Sequence, residues 1–194
     1  MNYVYNKNLA NCTPSKIREF NSLASKLNAK FKLTLGEPDF DTPIEIKDAL
    51  IEAVNQNHTR YAPTVGNKNL REEICKFEKR VNKVSYEPDE VLITTGSTEA
   101  LTAALFTLLN QDDEVIVPIP CYALYEPVIS YCGAKMIPLD TRPDFQISKG
   151  HLEALINNKT KAILLTSPNN PTGTIYDDKT LENIYNIVKD TNIL

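Results

Sequence analysis

The spacing of apolar residues changes partway along the chain. In the first part they recur at helical intervals. In TPSKIREFNSLASKL, Thr13 stands as a cap and Pro14 at the first helical position, and Ile17, Phe20, Leu23 and Leu27 share one stripe. TPIEIKDALIEAV repeats the device: Thr42 caps, Pro43 follows, and Glu45 completes a capping box. Leu70, Ile74, Phe77 and Val81 define a third amphipathic face. From Glu90 onward, short apolar runs alternate with helical stretches. EVLITT (Glu90 to Thr95) reads as a strand, followed by a helix over GSTEALTAALFTLL with Ala100, Leu101, Ala104, Leu105 and Leu108 inward. DEVIVPIP and AKMIPL are strands separated by a helix near Tyr125 to Tyr131. SKGHLEALINN is a short helix, KAILL (Lys161 to Leu165) a strand, and DDKTLENIYNIVKD a helix carrying Leu181, Ile184, Tyr185 and Val188.

Strand and helix alternating at this spacing predict right-handed crossovers and a mainly parallel sheet covered on both faces, a three-layer α/β/α fold. The last residues, TNIL, place Ile193 and Leu194 just after a helix, where the next buried strand is expected to begin. The expectation is therefore a sheet truncated before its later strands, with one apolar edge unpaired.

Composition narrows the function classes. Hydrophobic residues at 42% and charged residues at 24% are globular values. A net charge of -4 argues against nucleic acid as a partner, since duplex binding normally needs a basic face. The densest basic stretch, Lys76 to Lys83, is interrupted by Glu78 at helical spacing and reads as a solvated helix face. Cys12, Cys75, Cys121 and Cys132 form no CxxC pair and have no histidine at ligand spacing. The reading is no metal site and reduced thiols in a cytoplasmic protein. The first residues lack an apolar core of signal-peptide length, and no run approaches membrane-spanning length. His58 and His151 acquire no role.

Candidate chemistry gathers where strands end, which is where open parallel sheets hold ligands. In TTGSTEA, Gly96 allows a sharp turn into a helix whose first amides, at Ser97 and Thr98, would face an anion. Ordinary N-capping explains the same residues. In PIPCYALYEP, Tyr122 follows a strand in a proline-rich turn, suited either to lying flat on a planar ligand or to packing. In TSPNNPTG, Pro168 and Pro171 fix the backbone and Gly173 lets it turn, so the Asn170 carboxamide is held with little freedom. Its NH₂ can donate to a phenolate-type oxygen and favour the anionic form, which is how a protein tunes an electron-sink cofactor. Asn169 then serves as the turn former.

LGEPDFDTP, YAPTVGNKNLREEI, TTGSTEAL, DEVIVPIPCYALYEP and SPNNPTG, in this order, resemble the N-terminal half of class I/II aminotransferases. These are fold-type I enzymes that use pyridoxal 5′-phosphate (PLP), and the resemblance runs from about Ser15 to the last residue. It implies part of the PLP-binding large domain over residues 41–194, with residues 1–40 belonging to the small domain of an intact enzyme. It implies that Gly96, Ser97 and Thr98 hold the cofactor phosphate, that Tyr122 stacks on the pyridine ring, and that Asn170 bonds the ring's 3-oxygen. Gly36, with Asn170, would lie beside the substrate carboxylate, and Tyr61 would reach across a twofold interface to the partner's phosphate. A homodimer acting on an amino acid and a 2-oxo acid follows.

The resemblance also implies what these residues lack. The lysine that forms the Schiff base, the aspartate facing the pyridine nitrogen and the arginine gripping the substrate carboxylate lie beyond Leu194 in the family's order. LASK (Leu23 to Lys26) mimics the catalytic serine–lysine context, but it sits on an amphipathic helix and reads as solvated surface. The chain by itself is accordingly expected to be inactive. A fold-type I β-C–S lyase shares the cofactor cradle and stays open as an alternative, as does a non-catalytic, split or truncated PLP-binding module. Tyrosine at position 122 and SKIREFNSLA near the start lean toward an aromatic or N-acetyl-diaminopimelate type over a strict aspartate enzyme.

Overall fold

In the computed structural model, residues 6–9, 16–27, 31, 33–34 and 36–194 are described. The helix cap expected at Thr13 and Pro14, and Cys12, lie outside them. The chain divides into two compact units, one built on Ser97–Leu194 and the other on Lys16–Gly96.

The first unit is organised by a three-stranded parallel sheet. β1 (Glu114–Ile119) lies between β2 (Lys135–Asp140) and β3 (Thr160–Ile163), giving the order β2-β1-β3. Register on one side runs from Glu114↔Lys135 to Ile119↔Asp140; on the other, Val115↔Ala162 and Ile116↔Ile163 follow an irregularity after Glu114↔Thr160. Side chains alternate across a strand, and two core clusters result. Val115, Val117 and Ala162 pack with Leu105 and Leu109 at the end of one helix and Tyr125 and Ile129 of the next. Ile116 and Leu139 pack on the opposite face with Leu152, Tyr176 and Ile184. The helices packed on the sheet are α4 (Ser97–Leu108), α5 (Tyr125–Tyr131), α6 (Lys149–Leu155) and α7 (Asp178–Val188), with Leu109 just after α4 and Tyr176 just before α7. The sheet is thus sandwiched between helical layers, as the alternation predicts.

Details depart from the pattern. In α4, Leu101, Leu105 and Leu108 face the core as expected, while Ala100 and Ala104 are exposed. In α7, Ile184 is buried but Leu181 and Tyr185 are exposed, and Ile187 packs in their stead. α7 starts at a well-made cap, the Asp177 carboxylate accepting from the Thr180 N–H at 2.7 Å. That bond, together with the neighbouring Thr180 hydroxyl, holds the Asp177 carboxyl below the usual carboxylate range.

Leu194 extends the ladder. Its N–H donates to the Lys161 carbonyl at 3.1 Å, and its carbonyl accepts from the Ile163 N–H at 2.8 Å, the bonding of a parallel bridge opposite Ala162.

The second unit holds α1 (Lys16–Lys26), α2 (Ile44–Asn55) and α3 (Lys68–Val81). The capping box expected at Thr42 and Glu45 does not form. The cap position is Pro43, one residue later, and no side chain accepts there. Asn67 caps α3 instead, accepting from the Asn69 and Leu70 amides at 2.9 and 3.4 Å. The apolar stripes are present but exposed: Phe20 and Leu23 on α1, Leu50 and Ile51 on α2, and Leu70 and Phe77 on α3 all lie open. The buried residue of α3 is Arg71. EVLITT is not a ladder strand. After a 3₁₀ turn at Pro88–Glu90 the backbone is extended at Val91, and Ile93 donates to the Val65 carbonyl at 3.1 Å.

Candidate active site

The turn before α4 is built on Gly96, whose φ of +79° is open to glycine at no steric cost. A Cβ at Gly96 would meet nothing within 4 Å, so the requirement is conformational and the space before the helix is clear. Ser97 and Thr98 open α4 and are exposed. The amides of a helix's first turn have no intrahelical acceptor, and the helix dipole adds partial positive charge there. The start of this helix is suited to an anion such as a phosphate.

β1 leaves the sheet through Pro120 into the loop that carries Tyr122. Tyr122 is half-buried against the core cluster that also supports Leu101, one turn into α4. Its ring meets that of Tyr125 nearly at right angles (82°), with centroids 5.6 Å apart, a favourable edge contact. Burial, assisted by the Glu126 carboxylate, pushes the neighbouring Cys121 thiol up, so it behaves as a packing residue.

β3 leaves through TSPNNPTG, in which the Ser167–Pro168 and Asn170–Pro171 peptide bonds are cis. The turn closes on itself: Asn169 N–H donates to the Thr174 carbonyl at 2.8 Å, and Gly173 N–H, at a φ of +71°, donates to the Asn169 carbonyl at 2.7 Å. The Asn169 carboxamide donates to the Thr172 hydroxyl at 2.9 Å and, 49 residues back, to the Pro120 carbonyl at 3.0 Å. Asn170 is the opposite case. Its side chain is exposed and has no hydrogen-bond partner among the described residues. One amide is consumed by the turn; the adjacent one is available to a ligand.

Topology gives these loops a common location. From β1 the chain leaves by way of α5, packed on one face, to reach β2; from β3 it leaves by way of α7, packed on the other face, to reach Leu194 beside β3. The connections leaving the carboxyl ends of β1 and β3 therefore diverge, and ligands of open α/β sheets bind in that crevice. The Tyr122 loop and the Asn170 turn are its two walls, joined by the Asn169–Pro120 bond and by the Tyr125 hydroxyl, 2.6 Å from the Thr166 hydroxyl.

Gly36 and Tyr61 belong to the other unit. Gly36 is exposed with nothing near its missing Cβ, and Tyr61 is fully exposed on the loop between α2 and α3. Tyr125 and Thr166 are site-building residues that the sequence reading passed over. The available signal was a tyrosine at the first turn of a helix that directly follows a strand-end loop. Among the described residues no cluster of His, Cys, Asp or Glu could hold a metal ion, and no helix is long and apolar enough to cross a membrane.

The fold agrees with that of known relatives. Residues 28–194 match the family described as aminotransferase class I and II, and the chain belongs to that family. It is 34% identical over 188 residues to an aspartate aminotransferase of Bacillus sp. (strain YM-2), covering 94% of this chain and 48% of that protein. To aromatic-amino-acid aminotransferase 2 of Thermococcus litoralis it is 33% identical over 184 residues, covering 93% of this chain and 47% of that one. Among solved structures, N-succinyldiaminopimelate aminotransferase from Mycobacterium tuberculosis superposes with a TM-score of 0.92 at 30% identity, over 98% of this chain and 50% of the other. The chain spans about half the length of the curated relatives it matches.

Proposed function

We propose that the protein of which these residues form the cofactor cradle is a PLP-dependent aminotransferase, moving an amino group between an amino acid and a 2-oxo acid. The observation that carries the reading is the pairing of an aromatic face, Tyr122, with an unengaged carboxamide, Asn170, on the two braced walls of the sheet's crevice. The residues fit the group. Ser97 and Thr98 present first-turn amides and hydroxyls to a phosphate, with open space at Gly96. Tyr122 offers a flat surface for a pyridine ring, and the Asn170 NH₂ is free to donate to a phenolic oxygen. PLP, when bound, supplies an electron sink for negative charge at an amino acid's Cα.

The protein's part is binding and electrostatics. Asn170 stabilises the anionic form of the ring oxygen, and the α4 N-terminus holds the phosphate dianion. Gly36 is assigned to the substrate carboxylate and Tyr61 to a phosphate contact across a homodimer interface, both on the family resemblance. On the same basis residues 1–40 belong with a smaller domain, residues 41–194 with the cofactor domain, and the location is cytoplasmic. Named relatives act on aspartate, aromatic amino acids and N-succinyldiaminopimelate. That spread selects no side chain for the substrate.

In the family the Schiff-base lysine comes after the position matched by Leu194, so residues 1–194 alone should bind PLP weakly and reversibly and turn nothing over. The test is to purify this chain, add PLP, reduce with borohydride and measure intact mass. Scattered, substoichiometric labelling of lysines agrees with the reading; one stoichiometric adduct on a single lysine with 2-oxo acid production overturns it. The whole protein, given an amino donor and a 2-oxo acid, should form the new amino acid. Pyruvate released from a thioether amino acid would place it among the β-C–S lyases.

A further inference from the structure

We infer that Asn169 and Tyr125 are positioning residues that lock the Tyr122 loop to the Asn170 turn, so that the ring face and the carboxamide donor keep one mutual geometry. The inference rests on the cofactor reading above, but the connection itself is visible without a ligand. Between β1 and β3, backbone pairing ends where Leu164 N–H donates to the Ile116 carbonyl at 3.0 Å. Farther toward the carboxyl ends, Pro118 and Pro120 have no N–H to offer. Side chains take over where the ladder stops. The Asn169 carboxamide reaches Pro120, two residues before Tyr122, at 3.0 Å. The Tyr125 hydroxyl, on a residue 7% exposed, reaches Thr166 at 2.6 Å. Tyr125 also sets its ring against Tyr122. Each bond therefore starts beside one proposed ligand group and ends in the loop of the other.

The geometry distinguishes this from ordinary turn stabilisation. The turn's own closure is already made by the Asn169 and Gly173 backbone bonds and by the Thr172 hydroxyl. The Pro120 bond adds nothing to that closure; what it fixes is the distance between two walls. Pre-set placement of this kind lowers the ordering that a ligand must impose on binding.

The experiment uses the full chain and 4-deoxypyridoxine 5′-phosphate, which keeps the ring, the 3-hydroxyl and the phosphate but cannot condense with lysines. Inorganic phosphate is the control for the α4 site. Asn169→Ala, and Tyr125→Phe in case the first variant folds poorly, are compared with the parent by hydrogen exchange, equilibrium dialysis and the induced circular dichroism of the bound ring. In Asn169→Ala, exchange should accelerate over residues 120–125 as well as over 166–174. In either variant, affinity for the ring compound should fall about threefold to tenfold, the worth of one hydrogen bond, and its dichroism should shrink. Phosphate affinity should hold. Exchange that rises only around the mutated residue overturns the brace. So does a lowered unfolding midpoint with ring affinity and dichroism unchanged, the mark of a merely structural role. If the parent binds phosphate but not the ring compound, the cofactor reading fails, and the exchange pattern alone then decides the brace.

Discussion

Arg71 holds the carbonyl of Pro88: its Nη1 donates at 2.6 Å and also reaches Asp89 Oδ1 at 3.3 Å. Arg71 is buried, whereas the Asp89 carboxylate is fully exposed, so water screens the ion pair and the carbonyl bond dominates. Its Nε is buried with no hydrogen-bond partner among the described residues, so what a replacement forfeits is the Nη1 bond to the Pro88 carbonyl. Arg71→Met keeps an apolar stem and deletes the donor. It should lower unfolding stability by about 1–3 kcal/mol, read as a lower urea midpoint at unchanged slope. Asp89→Asn should change it by less than about 1 kcal/mol. Equal losses would assign the effect to the charge pair.

Two glycines with left-handed backbones should respond differently to alanine. At Gly96 the new Cβ has clear space, so the cost is the backbone's alone, about 1–2 kcal/mol. At Gly66, φ +96°, it would lie 2.3 Å from Ile93 Cγ1, so the Val65–Ile93 contact must open as well. Denaturation of both variants should rank Gly66→Ala well below Gly96→Ala. The reverse order would show that the space before α4 is filled.

Hydrogen bonds from the Arg142 side chain and backbone hold the Asp140 carboxyl at about 2. Nε donates at 2.9 Å and the backbone N–H at 3.1 Å to the same oxygen. A carboxyl whose folded value is depressed stabilises the fold above its unfolded value, roughly 3.9, and loses that contribution as pH falls through about 2. A carbon-detected NMR titration should find this midpoint, and Arg142→Ala, which deletes the side-chain donors but keeps the backbone N–H, should raise it part of the way toward the ordinary aspartate range. A midpoint that ignores the substitution would remove the Arg142 side chain as the cause.

Asn170→Ala should leave the fold intact, because the exposed side chain makes no hydrogen bond among the described residues. In the PLP-loaded whole protein it should raise the pKa of the ring's 3-oxygen, since the donor that favours the anion is gone. A pH titration of visible absorbance reads the midpoint. An unchanged midpoint would return Asn170 to the role of a turn residue.

What the sequence made legible was whatever a short window encodes. The β1, β2 and β3 runs and the helices after Ser97 were readable because alternation and stripe spacing are local properties. EVLITT had the right residues for a strand, but a strand is a pairing, and the partner of Ile93 proved to be a single loop carbonyl at Val65. The Thr42 box failed by one residue, since Pro43 itself stands at the cap. At the candidate site, Gly96, Tyr122 and Asn170 stood out by their turn chemistry. The bonds from Asn169 to Pro120 and from Tyr125 to Thr166 were not, because they join residues 49 and 41 apart and leave no trace in any periodicity.

The order β2-β1-β3 also bears on how the sheet assembles. Glu114 meets Lys135 in one direction and Thr160 in the other, so the second pairing closes a loop roughly twice as long as the first. Doubling a flexible loop adds about 0.6 kcal/mol of closure entropy. The βαβ unit of β1, α5 and β2 should therefore be the folding nucleus, with β3 docking afterward. Pulse-labelled exchange during refolding should protect the amides of Met136 to Leu139 that are not proline before those of β3, which makes the crevice between β1 and β3 a late-forming seam.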